Sequence, residues 1–167
     1  GVTAGIGVSA YAGIPLTQRD LASSATFITG HGSGRSPEPD WEAVARLGGT
    51  LVVYMGLGAL DATADKLLKA GRPADTPAAV VERGTLGAQR VVTAPLEAIG
   101  RAAREAGISA PALVIVGEVV RLSRDLSWFD CLPFRGRRVL VVRTRPQPSR
   151  LAAAFRRRGA DVAEFPK

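Results

Sequence analysis

Four short apolar runs constrain the fold of this chain more than any other feature of its sequence. Each run spans five or six residues. That length suits a buried strand and falls far below the roughly 20 residues of a membrane-spanning helix. Glycines and helical patterns separate the runs, so the sequence predicts an α/β fold. The predicted strands are Thr50 to Met55, Ala78 to Glu82, Arg90 to Ala94 and Ala112 to Val116.

The connections between these runs predict how the strands pair. Only a short loop that contains glycine separates the second run from the third. Such a loop favours an antiparallel hairpin, because parallel strands need a longer crossover. After the first run, an amphipathic helix is predicted from Leu57 to Ala70, with one apolar face formed by Leu60, Ala64, Leu67 and Leu68. We therefore expect a mixed sheet flanked by helices.

Capping and breaking residues indicate where the remaining elements lie. Thr3 stands at the N-cap of a helix within Val2 to Ala12, and Asp40 caps a helix that runs through Arg46. Pro95 suits the first turn of a helix that continues to Ala106. The other predicted elements are a strand at Ala25 to Thr29, a helix at Val119 to Phe129, a strand at Arg138 to Arg143, a helix at Ser149 to Arg158 and a strand at Asp161 to Phe165.

Composition excludes several classes of protein. The sequence has one cysteine and one histidine, so a disulfide framework, a cysteine-only zinc site and a histidine-rich metal centre are excluded, and we expect no metal site. No charged-then-apolar signal segment opens the chain. We therefore expect a cytoplasmic protein that does not act at a membrane.

The net charge of +7 is concentrated at one end of the sequence. Residues 135–167 hold 10 basic and 2 acidic residues, whereas the other 134 residues hold 12 basic and 13 acidic ones. A nucleic-acid groove needs basic residues over a folded face. We therefore expect no nucleic-acid partner. Arg156 to Arg158 read as a solvated helix C-terminus, where the helix dipole favours positive charge.

The two ends of the sequence suggest a fragment. It opens on small residues without an initiator Met, which indicates a loop entering a helix and a cut on the N-terminal side. Residues 131–136 are typical of a linker. The βαβ pattern after them is too small to fold alone, so we expect it to open a second domain.

Six sequence blocks in one order and spacing carry a family resemblance. They are GVTA from Gly1, AYAGIPLTQRD from Ala10, SSATFITGH from Ser23, TLVVYMG from Thr50, TPAAVVERGT from Thr76 and PALVIVGEVV from Pro111. Residues 1–130 resemble the second half of a uroporphyrinogen-III C-methyltransferase of the tetrapyrrole methylase family. Residues 137–167 resemble the start of a uroporphyrinogen-III synthase, and residues 131–136 would join the two.

The resemblance implies an enzyme that takes methyl groups from S-adenosyl-L-methionine. Its substrate would be uroporphyrinogen III and its product precorrin-2, on the route to siroheme and cobalamin. The full-length enzyme would be a homodimer. Displacement at a sulfonium-bound carbon depends on positioning more than on strong acid–base groups, in agreement with a sequence that offers no obvious catalytic dyad.

The same resemblance assigns residues to the cofactor. Thr3 and Ala4 would contact it at a helix start, Tyr54 and Met55 at the end of a strand, and Gly84 and Ala112 at neighbouring strand ends. Four of these residues also have a purely structural alternative: a cap for Thr3, a core position for Met55, and close packing for Gly84 or Ala112. The functional interpretation requires Thr3, Met55, Gly84 and Ala112 to converge on one wall of a nucleoside pocket.

Two further residues are candidates for the substrate. Uroporphyrinogen III has eight carboxylates, so we expect cationic side chains to bind it, and Arg19 is the candidate for this role. The alternative for Arg19 is a surface ion pair with Asp20. His31 is the second candidate, because imidazole titrates near neutral pH, with a structural role as the alternative.

Two rival functions stay open at this point. One is another methylase of the same fold that acts on a later corrinoid or on RNA. The LTQR and YMG blocks argue against this first rival. The other is a non-catalytic module that binds polyanions through its basic tail.

Overall fold

A computed structural model describes residues 1–30, 38–143 and 150–166 of the chain. Seven strands and six α-helices lie within these ranges. The strands are β1 (Ala25–Thr29), β2 (Thr50–Tyr54), β3 (Pro77–Glu82), β4 (Arg90–Pro95), β5 (Ala112–Val116), β6 (Arg138–Arg143) and β7 (Asp161–Pro166). The helices are α1 (Ala4–Tyr11), α2 (Trp41–Leu47), α3 (Leu60–Lys69), α4 (Ile99–Glu105), α5 (Ser123–Leu126) and α6 (Arg150–Arg157).

Five strands form one mixed sheet in the order β1-β2-β5-β3-β4. β1 and β2 pair in parallel, while β2–β5, β5–β3 and β3–β4 are antiparallel. The pairing of β3 with β4 confirms the hairpin that the short connecting loop predicts. The α/β class and the mixed sheet flanked by helices are confirmed as well.

The sheet separates two apolar cores because successive strand residues point to opposite faces. Helices α2, α3 and α4 cover the face that carries Leu51, Val53 and Val114. Helix α1 covers part of the other face, where its Val8 lies in one core with Val52 and other buried residues. In α3, Leu60, Ala64 and Leu67 are buried and Leu68 is half-buried, so the predicted apolar face is confirmed.

Three predicted elements differ from the structure. Pro95 does not open a helix but ends β4 opposite Pro77. A turn follows in which the Leu96 amide donates to the Thr76 carbonyl at 2.8 Å, and α4 begins only at Ile99. The helix predicted at Val119 to Phe129 is instead a 3-10 turn at Glu118–Leu122, the four-residue α5, and a second 3-10 turn at Phe129–Cys131. The helix predicted from Leu57 to Ala70 begins as a 3-10 turn at Leu57–Ala59, and its α-helical part, α3, starts only at Leu60.

The tail forms a separate two-stranded parallel sheet, β6–β7, and α6 packs against it. The segment predicted as a linker is anchored at two points. The Phe134 ring meets the Phe155 ring of α6 with centroids 5.1 Å apart, and the Arg135 guanidinium donates to the carbonyls of Gly87 and Gln89. Among the described residues, no helix has the length and apolarity needed to cross a bilayer.

Candidate functional site

The strand register brings three of the predicted cofactor residues to one edge of the five-stranded sheet. Glu82 at the end of β3 pairs with Ala112 at the start of β5, and Gly84 follows two residues later. On the other side of β5, Val53 pairs with Val114. Since β2 and β5 are antiparallel, Met55, which follows the end of β2, lies at the same end of the sheet as Ala112, which begins β5.

Helix α1 adds the fourth predicted position to this edge. The Thr3 hydroxyl oxygen lies 2.6 Å from the Tyr54 hydroxyl oxygen, and the Gly5 amide donates to the same Tyr54 oxygen at 3.0 Å. Thr3 occupies the N-cap position, but its side chain makes no capping hydrogen bond. The predicted N-cap position is therefore confirmed, but the capping hydrogen bond is not formed, because the hydroxyl contacts a residue 51 positions away. Ala4, the first residue of α1, is exposed beside this contact.

Gly5 allows α1 to approach the sheet this closely. A β-carbon at Gly5 would lie 2.5 Å from both the Phe27 ring and the Tyr54 hydroxyl oxygen. The two aromatic rings stack with their centroids 6.3 Å apart. The first turn of α1 is thus fixed against Phe27 and Tyr54, and Thr3 and Ala4 are fixed with it.

Backbone strain marks the same positions. Among the described residues, four that are not glycine have positive φ: Asp20 (72°), Met55 (51°), Arg83 (47°) and Thr85 (71°). Met55 is itself a predicted site residue, Arg83 and Thr85 flank Gly84, and Asp20 follows Arg19. Such conformations cost about 1–3 kcal/mol each and cluster at binding and catalytic sites.

Met55 is not a core residue, which removes its structural alternative. Its side chain is 67% exposed, beside a strand whose first four residues are buried. Phe27 and Ile6 are exposed large apolar residues of β1 and α1. At this edge, the exposed Met55 side chain directly follows Tyr54, whose hydroxyl contacts that of Thr3.

Gly84 and Ala112 have clear packing roles. A β-carbon at Gly84 would lie 2.4 Å from a methyl carbon of Val8, so helix packing alone requires a glycine there. Ala112 is half-buried and packs against the core beneath α3 and α4. Contact of either residue with a cofactor stays a prediction.

A buried polar cluster beside Gly84 was missed by the sequence analysis. Glu82 is 3% exposed, and its carboxylate accepts a hydrogen bond from the Ser109 hydroxyl at 2.5 Å and pairs with Arg90 at 3.2 Å. The Ser109 hydrogen bond, with a further contribution from Arg90, lowers the pKa of Glu82 below its ordinary value, although burial opposes this. A glutamate that ends an apolar run is the signal that could have located this cluster.

Arg19 lies at the tip of a tight turn closed by an antiparallel bridge between Gln18 and Ala22. Its side chain is exposed and forms no ion pair with Asp20, which removes the alternative raised for it. The turn forms an open groove of about 640 Å³. An apolar groove of about 460 Å³ adjoins it through Thr17 and is lined by Ile6, Leu16, Leu126 and Trp128, among others.

One predicted substrate residue, His31, lies outside the described residues. Within residues 1–30, 38–143 and 150–166, no cluster of three or more His, Cys, Asp or Glu side chains could hold a metal ion.

Comparison with known proteins identifies the family. A model described as tetrapyrrole (corrin/porphyrin) methylases matches residues 1–100. The chain belongs to the tetrapyrrole methylase family. The resemblance read from the six sequence blocks is thereby confirmed for the methylase part.

Individual relatives agree with this assignment. The chain is 50% identical over 129 residues to a siroheme synthase from Thiobacillus denitrificans, a match that covers 77% of this chain and 27% of that protein. A uroporphyrin III C-methyl transferase structure from Thermus thermophilus is 38% identical, with a TM-score of 0.62, over 73% of this chain and 50% of that one. A Thermus thermophilus structure complexed with S-adenosyl homocysteine is 39% identical, with a TM-score of 0.59 and coverages of 73% and 52%.

A cobalt precorrin-4 methyltransferase shares the fold, with a TM-score of 0.66 at 24% identity over 72% of this chain and 51% of that one. The chain thus spans about half the length of these solved structures and about a quarter of the siroheme synthase.

Proposed function

We propose that this tetrapyrrole methylase chain forms one wall of a pocket for S-adenosyl-L-methionine. One observation carries the proposal: Thr3, Met55, Gly84 and Ala112 lie at one edge of the sheet, and the backbone has positive φ at Met55 and on both sides of Gly84. The residues suit such a ligand, because two hydroxyls can bind a ribose while the exposed Met55 side chain offers apolar contact to an adenine ring. The Thermus thermophilus relative complexed with S-adenosyl homocysteine supports the same assignment.

The proposed reaction is C-methylation of uroporphyrinogen III to precorrin-2, for siroheme and cobalamin synthesis. When bound, the cofactor supplies a methyl group on a sulfonium sulfur. Precorrin-2 requires two such transfers. In each, an electron-rich pyrrole carbon of the substrate would form a bond to the methyl carbon as the carbon–sulfur bond breaks, and the substrate would lose one proton. The chain's own residues orient the two reactants, which is the main requirement of such a displacement.

Arg19 is the proposed contact for a substrate carboxylate. Its guanidinium is exposed and not engaged by Asp20, at the rim of a groove that continues into the apolar groove along α1. An apolar floor with a cation at its edge matches a macrocycle whose carboxylates lie on its periphery. His31 stays a proposed second contact.

The wider organisation is part of the same proposal. Residues 1–130 would be the C-terminal lobe of the methyltransferase, residues 131–136 its connection, and residues 137–167 the start of a uroporphyrinogen-III synthase domain. The parallel β6–α6–β7 unit supports an α/β domain beginning there. The enzyme would be a cytoplasmic homodimer that acts without nucleic acid or membrane.

Calorimetric titration of the chain with S-adenosyl homocysteine tests the cofactor site. Met55→Ser should weaken binding about tenfold or more, since burial of a methionine side chain contributes about 1.5–3 kcal/mol. Leu47→Ser is the matched control, because Leu47 is 64% exposed against 67% for Met55 and lies on α2. Absence of binding, or equal binding by the two variants, would contradict the proposal.

A second titration separates the substrate classes. Uroporphyrin III should quench the chain's tryptophan fluorescence, and Arg19→Gln should weaken that binding, whereas a structured RNA should not compete. Arg157→Gln tests the rival basic module, because Arg157 lies on the exposed C-terminal turn of α6. If only Arg157→Gln reduced binding, the polyanion-binding module would be the better interpretation.

A further inference from the structure

Gln89 is a buried polar residue for which the proposed chemistry has no direct use. It is 1% exposed, and both ends of its side-chain amide are hydrogen-bonded. Its oxygen accepts from the Thr85 amide at 2.8 Å, and its nitrogen donates to the Tyr11 carbonyl at 3.2 Å. One side chain therefore joins the turn that contains Gly84 to the C-terminal end of α1.

This turn needs external support. Arg83 and Thr85 both have positive φ, and such conformations persist only where the surrounding structure holds them. At one end, the Arg83 amide donates to the Pro111 carbonyl at 3.0 Å, next to Ala112. At the other end, the Gln89 side chain supplies the acceptor for Thr85. Gln89 thus restrains the strained end of the turn that faces away from Ala112.

The amide also fixes a distance between two predicted binding elements. Gly84 packs directly against Val8 of α1, and Thr3 lies at the start of the same helix. Because it binds Thr85 and Tyr11 at the same time, Gln89 helps to fix the position of the turn around Gly84 relative to α1. A side chain that made only one of the two contacts would leave the packing of Gly84 on Val8 without this second link between the turn and the helix.

We propose that Gln89 is a positioning residue for the cofactor wall: its amide holds the Arg83–Gly84–Thr85 turn in register with α1. The inference rests on the proposed function, because the ligand whose binding wall Gln89 would position is the one assigned to that edge of the sheet. Gln89 does not touch the ligand and acts through Thr85 and Tyr11.

Gln89→Met tests this, because methionine keeps the length and removes both hydrogen bonds. The Thr85 amide should exchange with deuterium at least tenfold faster in the variant, measured by NMR without any ligand. Binding of S-adenosyl homocysteine should weaken about tenfold, which corresponds to about 1.4 kcal/mol. Gln89→Glu keeps an oxygen acceptor, so it should retain the slow exchange of Thr85. Should Gln89→Met fail to fold, Gln89→Asn is too short to span both partners and carries the same expectation.

Val44→Ala is the control for general destabilisation. Val44 is buried on α2, in the core on the opposite face of the sheet, so its variant should lose stability without changing Thr85 exchange or binding. Unchanged Thr85 exchange in Gln89→Met, or equal loss of binding in Val44→Ala, would overturn the inference. If the unmodified chain bound no S-adenosyl homocysteine, the proposed function would fail, while Thr85 exchange would still decide whether Gln89 holds the turn.

Discussion

Replacing Gly84 with alanine tests how tightly α1 is held against the predicted cofactor edge. The new β-carbon would lie 2.4 and 2.5 Å from the two methyl carbons of Val8 and 2.9 Å from its β-carbon. Carbon atoms in van der Waals contact are about 3.5–4.0 Å apart, so the overlap exceeds about 1 Å. Because Val8 is a buried residue of a helix, it cannot rotate away without moving α1.

The expected loss is about 1–3 kcal/mol of unfolding free energy, the usual cost of overpacking a core. Backbone strain adds nothing, since Gly84 is not among the residues with positive φ. A second change, Val8→Ala, removes both methyl groups and leaves only the contact at 2.9 Å. The double variant should therefore be more stable than the two separate losses predict, by about 1–2 kcal/mol.

Urea unfolding of the four proteins followed by circular dichroism measures this coupling. Gly84→Ala should also weaken binding of S-adenosyl homocysteine, because a displaced α1 carries Thr3 away from Tyr54. Additive free energies, or a Gly84→Ala protein within about 0.5 kcal/mol of the parent, would show that α1 does not pack as described.

Three further changes separate the contributions at this edge. Tyr54→Phe removes the hydroxyl that binds Thr3 and should lower the unfolding free energy by about 1–2 kcal/mol in urea titrations. Ser109→Ala removes the main cause of the lowered pKa of Glu82. A carboxylate whose pKa is lowered by folding stabilises the folded protein at pH values above its ordinary pKa of about 4.3. The unfolding free energy that the variant loses at pH 7 should therefore shrink as the pH falls below that value. Met55→Asn should leave stability unchanged or raise it by up to about 1 kcal/mol, because asparagine tolerates positive φ, while titration should show weaker cofactor binding.

The strands were predictable because their signal is local. Thr50 to Tyr54 and Ala112 to Val116 are apolar runs bounded by glycine or proline, and burial of such runs needs no knowledge of their partners. The hairpin followed from loop length alone. The α3 face followed from the spacing of its leucines, which matches the helical period.

The errors arose where a distant residue decides the outcome. Thr3 has the sequence context of a cap, yet its hydroxyl binds Tyr54, which a local pattern cannot reveal. Pro95 fits a helix start, but the β3–β4 ladder extends far enough to include it opposite Pro77. The roles of Glu82 and Gln89 depend in the same way on tertiary contacts, with Ser109 and with α1.

Packing explains the residue type at Gly84 but not the residue type at Met55. Packing of α1 explains why Gly84 lacks a side chain, so its identity says nothing about a ligand. Met55 is two-thirds exposed and has a φ of 51°, so neither burial nor backbone preference accounts for a methionine there. A residue that breaks local rules without a benefit to folding is expected at functional sites. Met55 is therefore the residue on which the proposed cofactor contact depends most.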